Sequence, residues 1–365
     1  MTTVTRPAAL RLRRILLACA STLAALVAAE VGFRVRAHVR NSNTLERALA
    51  APQVLSAGGG VQATLADIIV PSTNDRIAYA LRPNMSAVPF KNQPVTTNSA
   101  GFRSAEIPVS EPANTRTIVG IGDSIQFGHG VADGETYLDV LEERLRQQYP
   151  KTNWRTINTG VPGYNTVMEV ETLVTKGLAY SPDLVILGLC GNDYSPPTYV
   201  RTPDDVFDLR RSFFLDFALQ SIANDGDSEA EQGLSHRGLW SEANGRKVPD
   251  RYAGLYGKTA FLDALDRLAE LSEQHDFPVV ALAFHHVFPT NHMISACRER
   301  GFHVASAQKY IAEETRRQVE GPFAWRNLLK TDLVVGPKNG HPSAKMHRVL
   351  AGKLLTMIRT HKLLP

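Results

Sequence analysis

From residue 116 onward the chain alternates two hydrophobic rhythms. Short apolar runs at 116–122, 154–158, 183–189 and 278–284 predict strands. Between them lie stretches with apolar residues three and four apart. In 135–148, Tyr137, Val140, Leu141 and Leu145 share one helical face. Segments 165–178, 258–275, 291–300, 307–318 and 343–360 also predict helices, with a short strand at 302–305. Strands alternating with helices predict an α/β fold whose parallel sheet is covered on both faces. The active sites of such sheets lie beyond the carboxyl ends of the strands.

Residues 41–115 lack this periodicity and contain Gly58-Gly59-Gly60 and several prolines. They predict a linker followed by an irregular, partly extended arm. The stretch 195–257 is too long for a plain connection and predicts an inserted cap. Its apolar run 213–219 fits a helix closing over the core, or a lid lining an acyl or membrane-facing pocket; the acidic stretch 224–233 fits a solvated loop. The chain thus divides into an N-terminal segment (1–40), the arm (41–115) and an α/β domain with its cap (116–365).

In the first segment Arg11, Arg13 and Arg14 precede fifteen uncharged residues, 15–29; Glu30 follows, then Val31-Gly32-Phe33 and three more arginines. Counted to Phe33 the span is nineteen residues, near the length that crosses a bilayer. Glu30 would then lie near the far interface, within reach of the headgroups. A cleaved signal peptide fits the small residues around Ala28-Ala29, but cleavage there would leave an arginine-rich new terminus. The arginines at 6, 11, 13 and 14 favour a cytoplasmic N-terminus with the body exported from a bacterial inner membrane. The same residues explain the net charge. Seven arginines against one glutamate make the first 40 residues +6, so a total of +4 leaves the remainder at −2. That balance predicts no nucleic-acid surface. An apolar fraction of 43% is that of a globular protein. The three cysteines, Cys19, Cys190 and Cys297, have neither metal-ligand nor disulfide spacing.

Candidate chemistry falls at the ends of elements. Gly122-Asp123-Ser124 follows the first strand, Gly191-Asn192-Asp193 follows the third, and His341-Pro342-Ser343 opens the last helix. A hydroxyl, an amide donor and an imidazole in this order are the groups that serine-based acyl transfer needs: attacker, oxyanion stabiliser and general base. No motif supports a metal or other cofactor. His285 and His286, at the end of the strand 278–284, could reach the same rim.

At these residues the chain resembles the SGNH (GDSL) hydrolases, in their membrane-anchored bacterial form, over roughly 116–361. The first family block resembles 120–128, the second resembles 158–164 and the third and fourth are the Asn192 and His341 motifs. The stretch Thr97-Asn98-Ser99-Ala100-Gly101-Phe102-Arg103 is similar to the arm of the anchored members. The resemblance implies a flavodoxin-like three-layer α/β/α sandwich and ester hydrolysis. It also implies a Ser124 nucleophile, a His341 base and an oxyanion hole from Ser124, Gly163 and Asn192, with Gly160 the fallback for Gly163. One position departs from the pattern. The family orients its histidine with an aspartate three residues earlier, where this chain has Lys338. Asn339 could accept the ring N–H but brings no charge. Asp332 has the charge, and Gly336, Pro337 and Gly340 allow the chain to fold back, so Asp332 is the expected orienting acid. The alternative is a dyad without one. The expected activity is an esterase or O-deacylase acting on an ester-bearing small molecule or envelope glycan. Acyl transfer to a carbohydrate and an inactive glycan-binding domain are the alternatives.

Overall fold

The computed structural model describes residues 6–50, 62–108, 114–200, 209, 212–215, 218, 241–242, 248, 250–284, 290–321 and 323–364. Five strands form one sheet: β1 (Thr115–Ile121), β2 (Asn153–Asn158), β3 (Leu184–Leu189), β4 (Val279–Ala283) and β5 (His303–Ser306). Their spatial order is β2-β1-β3-β4-β5, and each neighbouring pair is parallel. β3, at the centre, is buried along its whole length, as a strand between two helical layers must be. The order reverses at β1, which has β2 on one side and β3 on the other. In open α/β sheets that reversal opens a crevice at the carboxyl ends.

The longer helices that accompany the sheet are α1 (Tyr137–Gln148), α2 (Thr166–Thr175), α3 (Lys258–His275), α4 (Thr290–Glu299), α5 (Gln308–Gln318) and α6 (Ala344–His361). Successive strand residues feed opposite cores. Ile118, Leu184 and Ile186 join Leu141, Leu145, Leu350 and Leu354 on one face. Val119, Val185 and Leu187 join Val167, Leu173, Phe261 and Leu265 on the other. The result is the three-layer α/β/α sandwich. Local signals set the helix starts. Thr136 opens α1 in a capping box with Asp139, and Asn165 and Ser343 cap α2 and α6 by accepting from the third residue on.

Residues 62–108 are more regular than the sequence suggested. Ile69–Pro71 pairs antiparallel with Tyr79–Leu81, and Val88–Phe90 with Gln93–Val95. Lys91 and Asn92 join the second pair with φ of 50° and 65°, the left-handed conformation of a tight hairpin turn. Three-residue strands interrupted by prolines are too short for a period of two to register. Val334–Gly336 and Asn339–Pro342 form a further hairpin just before α6.

Residues 1–50 with 202–232 form one compact unit, and 51–201 with 233–365 form a second. In the first, a helix runs Arg6–Ala50, beyond the boundary expected at residue 40. Its segment Leu10–Arg36 is long and apolar enough to cross a membrane, and lies near the N-terminus as a signal sequence does. Glu30 has protein partners. Its carboxylate accepts from Ser212 Oγ (2.8 Å), from the Phe213 and Phe214 amides (3.0 Å each) and from Arg34 Nε (2.7 Å). It thereby satisfies the exposed amides at the start of the short helical segment at 213. Phe33 packs on Phe214, with ring centroids 5.9 Å apart. Most of the expected cap lies outside the described residues.

Candidate active site

β1 ends at Ile121, and Gly122-Asp123 turn the chain into the short helix Ser124–Phe127. Asp123 caps it, its Oδ1 accepting from the Ile125 amide at 2.9 Å. Gly128 ends it in the left-handed region, φ 84°. The Ser124 carbonyl then accepts from the amides of both Gly128 and His129. This tight turn presents the Ser124 hydroxyl at the end of the strand.

His341 stands opposite, on the last hairpin. Its Nε2 lies 2.8 Å from Ser124 Oγ and its Nδ1 lies 2.7 Å from Asn339 Oδ1. The His341 backbone amide donates to that same Asn339 oxygen at 3.2 Å. Two N–H groups converging on one atom require it to be the carbonyl oxygen, an acceptor only. The ring proton therefore sits on Nδ1, and Nε2 is left to accept from the serine. Strand register explains the arrangement: residues two apart in a strand face the same way, which puts Asn339 beside His341.

The expected orienting acid is a correction. Asp332 is not at the ring; its carboxylate accepts from Lys345 Nζ at 2.9 and 3.0 Å and from Gln318 Nε2 at 2.6 Å. The intervening residues fold back, but as a hairpin that pairs Val334 with Pro342. Asp332 thus falls beyond the hairpin's open end, beside Ser343, whose hydroxyl donates to its carbonyl.

The remaining predicted donors come from the strands flanking β1. Gly163 follows β2 and has φ 78°. A Cβ there would strike the Thr198 side chain and, at 2.7 Å, the Tyr79 hydroxyl, so only glycine fits. Among the described residues, the Ser124 and Gly163 amides donate to no protein acceptor. Asn192 follows β3, and its Nδ2 donates to the Tyr164 carbonyl at 3.2 Å, which ties it to the neighbour of Gly163. Gly160, by contrast, spends its amide on Asn158 Oδ1 at 3.0 Å.

Burial dominates the electrostatics beneath the site. It pushes His341 below the usual imidazole range, with Asp123 opposing and Lys91 reinforcing. Burial also raises the carboxyls of Asp193 and Glu169 well above the ordinary range, and nearby Asp123 adds to both shifts. Asp193 is structural in its contacts: its Oδ2 accepts from the Cys190 amide at 3.0 Å. Among the described residues no cluster of three or more His, Cys, Asp or Glu side chains is placed to hold a metal ion. His285 and His286 lie outside the described residues.

Three participants were not singled out as site residues from sequence. His129 stacks on His341, with centroids 4.0 Å apart and planes within 6°. Phe90 meets His129 edge-on at 5.2 Å. Arg103 donates to the carbonyls of Phe127 (2.9 Å), Gly128 (2.6 Å) and Val131 (2.6 Å). Only Arg103 had a signal, the 97–103 arm motif.

The sequence model of the GDSL-like lipase/acylhydrolase family matches residues 121–349, more than half of the chain. No curated protein matches the chain significantly. Among solved structures, TesA is 14% identical over 68% of this chain and 100% of its own, with a TM-score of 0.39. The psychrotrophic esterase EstA from a Pseudoalteromonas species is 12% identical over 67% of this chain and 97% of its own, at 0.39. A catalytic mutant of Axe2, an acetylxylan esterase from Geobacillus stearothermophilus, is 14% identical over 67% and 94%, also at 0.39.

Proposed function

Because the chain belongs to the GDSL-like lipase/acylhydrolase family it is an ester hydrolase, and we propose that Ser124, His341 and Asn339 form its catalytic relay. The observation that carries this reading is the unbroken contact from Asn339 Oδ1 through the His341 ring to Ser124 Oγ, at 2.7 and 2.8 Å. Ser124 Oγ attacks the acyl carbon while its proton passes to His341 Nε2, and the histidine returns that proton to the leaving alcohol. Water then repeats the sequence on the acyl-enzyme. The amides of Ser124 and Gly163 and the side chain of Asn192 hold the oxyanion, each such donor being worth about 3 kcal/mol of barrier. Asn339 fixes the tautomer.

The substrate reading rests on location. An N-terminal helix with the composition of a membrane span, led by arginines, suits an anchored enzyme whose body is exported and meets envelope glycans. O-deacylation of such a glycan is the proposed reaction.

The test is labelling with a serine-directed fluorophosphonate, followed by peptide mapping. Labelling at Ser124, with Ser124→Ala inactive on a short-chain aryl ester and stable to heat as the parent, is the expected result. Undiminished hydrolysis by Ser124→Ala removes the assignment. Product analysis with an added sugar acceptor separates hydrolysis from transfer.

A further inference from the structure

His129 lies in the turn that follows Ser124, and its own amide donates to the Ser124 carbonyl at 3.0 Å. Its ring is sandwiched. One face lies against the His341 ring at 4.0 Å, nearly parallel, and the edge contact with Phe90 backs it at 5.2 Å. Its buried Nδ1 has no hydrogen-bond partner among the described residues. A buried ring nitrogen left unused calls for another reason for the ring's placement. What it offers His341 is an aromatic face.

That face meets a specific need. In the proposed mechanism His341 becomes an imidazolium, and the partner on its Nδ1 is a neutral amide, not a carboxylate. A neutral aromatic ring stacked on a cation stabilises it, and more so where water is excluded. His129 can serve only while uncharged, and burial together with His341, Lys91 and Arg103 keeps it so, pushing its pKa down to about 2. We propose that His129 is a positioning residue that stacks on His341, fixes its plane and stabilises its protonated form, offsetting the absent orienting acid. This rests on the Ser124–His341 reading above.

The test compares His129→Leu, which keeps apolar bulk without an aromatic face, with His129→Phe, which restores the face. His129→Leu should lose ~10- to 30-fold in kcat with KM nearly unchanged, the equivalent of one desolvated cation–ring contact. The acid limb of its pH–rate profile should also move to lower pH, because the imidazolium is less favoured. The other charged or titratable groups facing this pair are the same in both variants: Lys91 from the arm hairpin, Arg103, Asp123 and His347 from α6. His129→Phe should recover most of both properties. Full activity in His129→Leu, a loss without movement of the acid limb, or equal damage in both variants overturns the proposal. A measurement on the unaltered protein guards against misfolded variants: histidine-selective NMR should find His129 neutral throughout the titration of His341. A His129 that titrates near pH 6.5 overturns the proposal. Ser124→Ala run in parallel separates the two claims, since an active Ser124→Ala would point to failure of the site assignment.

Discussion

At the scale of single residues, the proposed relay places an amide where a carboxylate is usual. Asn339 accepts from the His341 ring and from its backbone amide, so orientation and tautomer are held without a charge. Asn339→Ala should therefore lower kcat by ~10- to 100-fold, less than the ~10⁴ seen where a charged partner is lost and the wrong tautomer forms. Asp332→Asn should leave kcat within about twofold, because its side chain contacts Lys345 and Gln318 on the surface and not the His341 ring. Kinetics of the two variants on an aryl ester check the ranking, and the reverse order would restore Asp332 as the acid. Burial lowers the pKa of His341, so its basic form persists below the ordinary imidazole value and the acid limb of kcat/KM should lie below about pH 6.5. Asn339→Asp should move that limb upward, since a neighbouring negative charge favours the imidazolium.

At the scale of elements, the arm at 62–108 is built into the loops that carry Gly163 and the candidate nucleophile Ser124. The Tyr79 hydroxyl donates to the Pro162 carbonyl at 3.0 Å, bracing the turn that carries Gly163. Arg103, almost wholly buried, holds three carbonyls of the 127–131 loop, pairs with Asp133 at 3.0 Å and lies over the Phe127 ring. Its planar fork reaches all of them together. Arg103→Ala should leave the Phe127 and Val131 carbonyls without a partner, while that of Gly128 keeps the Val131 amide, at about 1–3 kcal/mol for each that water cannot reach. Arg103→Lys should recover little, because one ammonium cannot span the set. Thermal unfolding and esterase activity should fall together in both variants. A lysine variant indistinguishable from the parent would mean that the charge, not the fork, is what the loop requires.

At the scale of the whole molecule, buried histidines link stability to pH. His347 on α6 is fully buried, and its Nδ1 accepts from the Tyr137 amide of α1 at 3.0 Å, so the ring must stay neutral there. Burial, with Arg103 and His341, pushes its pKa down to about 3. Below about pH 6.5 the unfolded chain binds a proton that folded His347 refuses, so stability is full above that pH and falls as pH drops toward 3. The slope is about 1.4 kcal/mol per pH unit for one such group. His129 acts in the same direction, while the raised carboxyls of Glu169 and Asp193 act oppositely, favouring the folded state as pH falls. Only a comparison with one group removed isolates the effect. His347→Gln keeps an acceptor and cannot titrate, so its stability should depend less on pH between 6.5 and 3. Urea unfolding across that range tests this, and parallel curves for parent and variant would exclude His347 as the source.

The alternation of short apolar runs with amphipathic stretches was enough to specify the parallel sheet and its helices to within two residues, α2 excepted, which ends at Thr175 and passes into the turn Gly177–Tyr180. Burial on both faces writes itself as composition, and helix starts write themselves as caps such as Thr136 and Ser343. Ser124, Asn192 and His341 could be named as candidates because each stands in a recognisable motif where one element passes into the next. The partner of His341 was not. Asp332 and Asn339 are both near it in the chain, and a two-strand register that no periodicity marks decides which one faces the ring. The stacking of His129 and the reach of Arg103 into the 127–131 loop join positions distant in sequence. A single sequence records what each residue is and how it repeats along an element; which faces meet across elements is decided only when the chain packs.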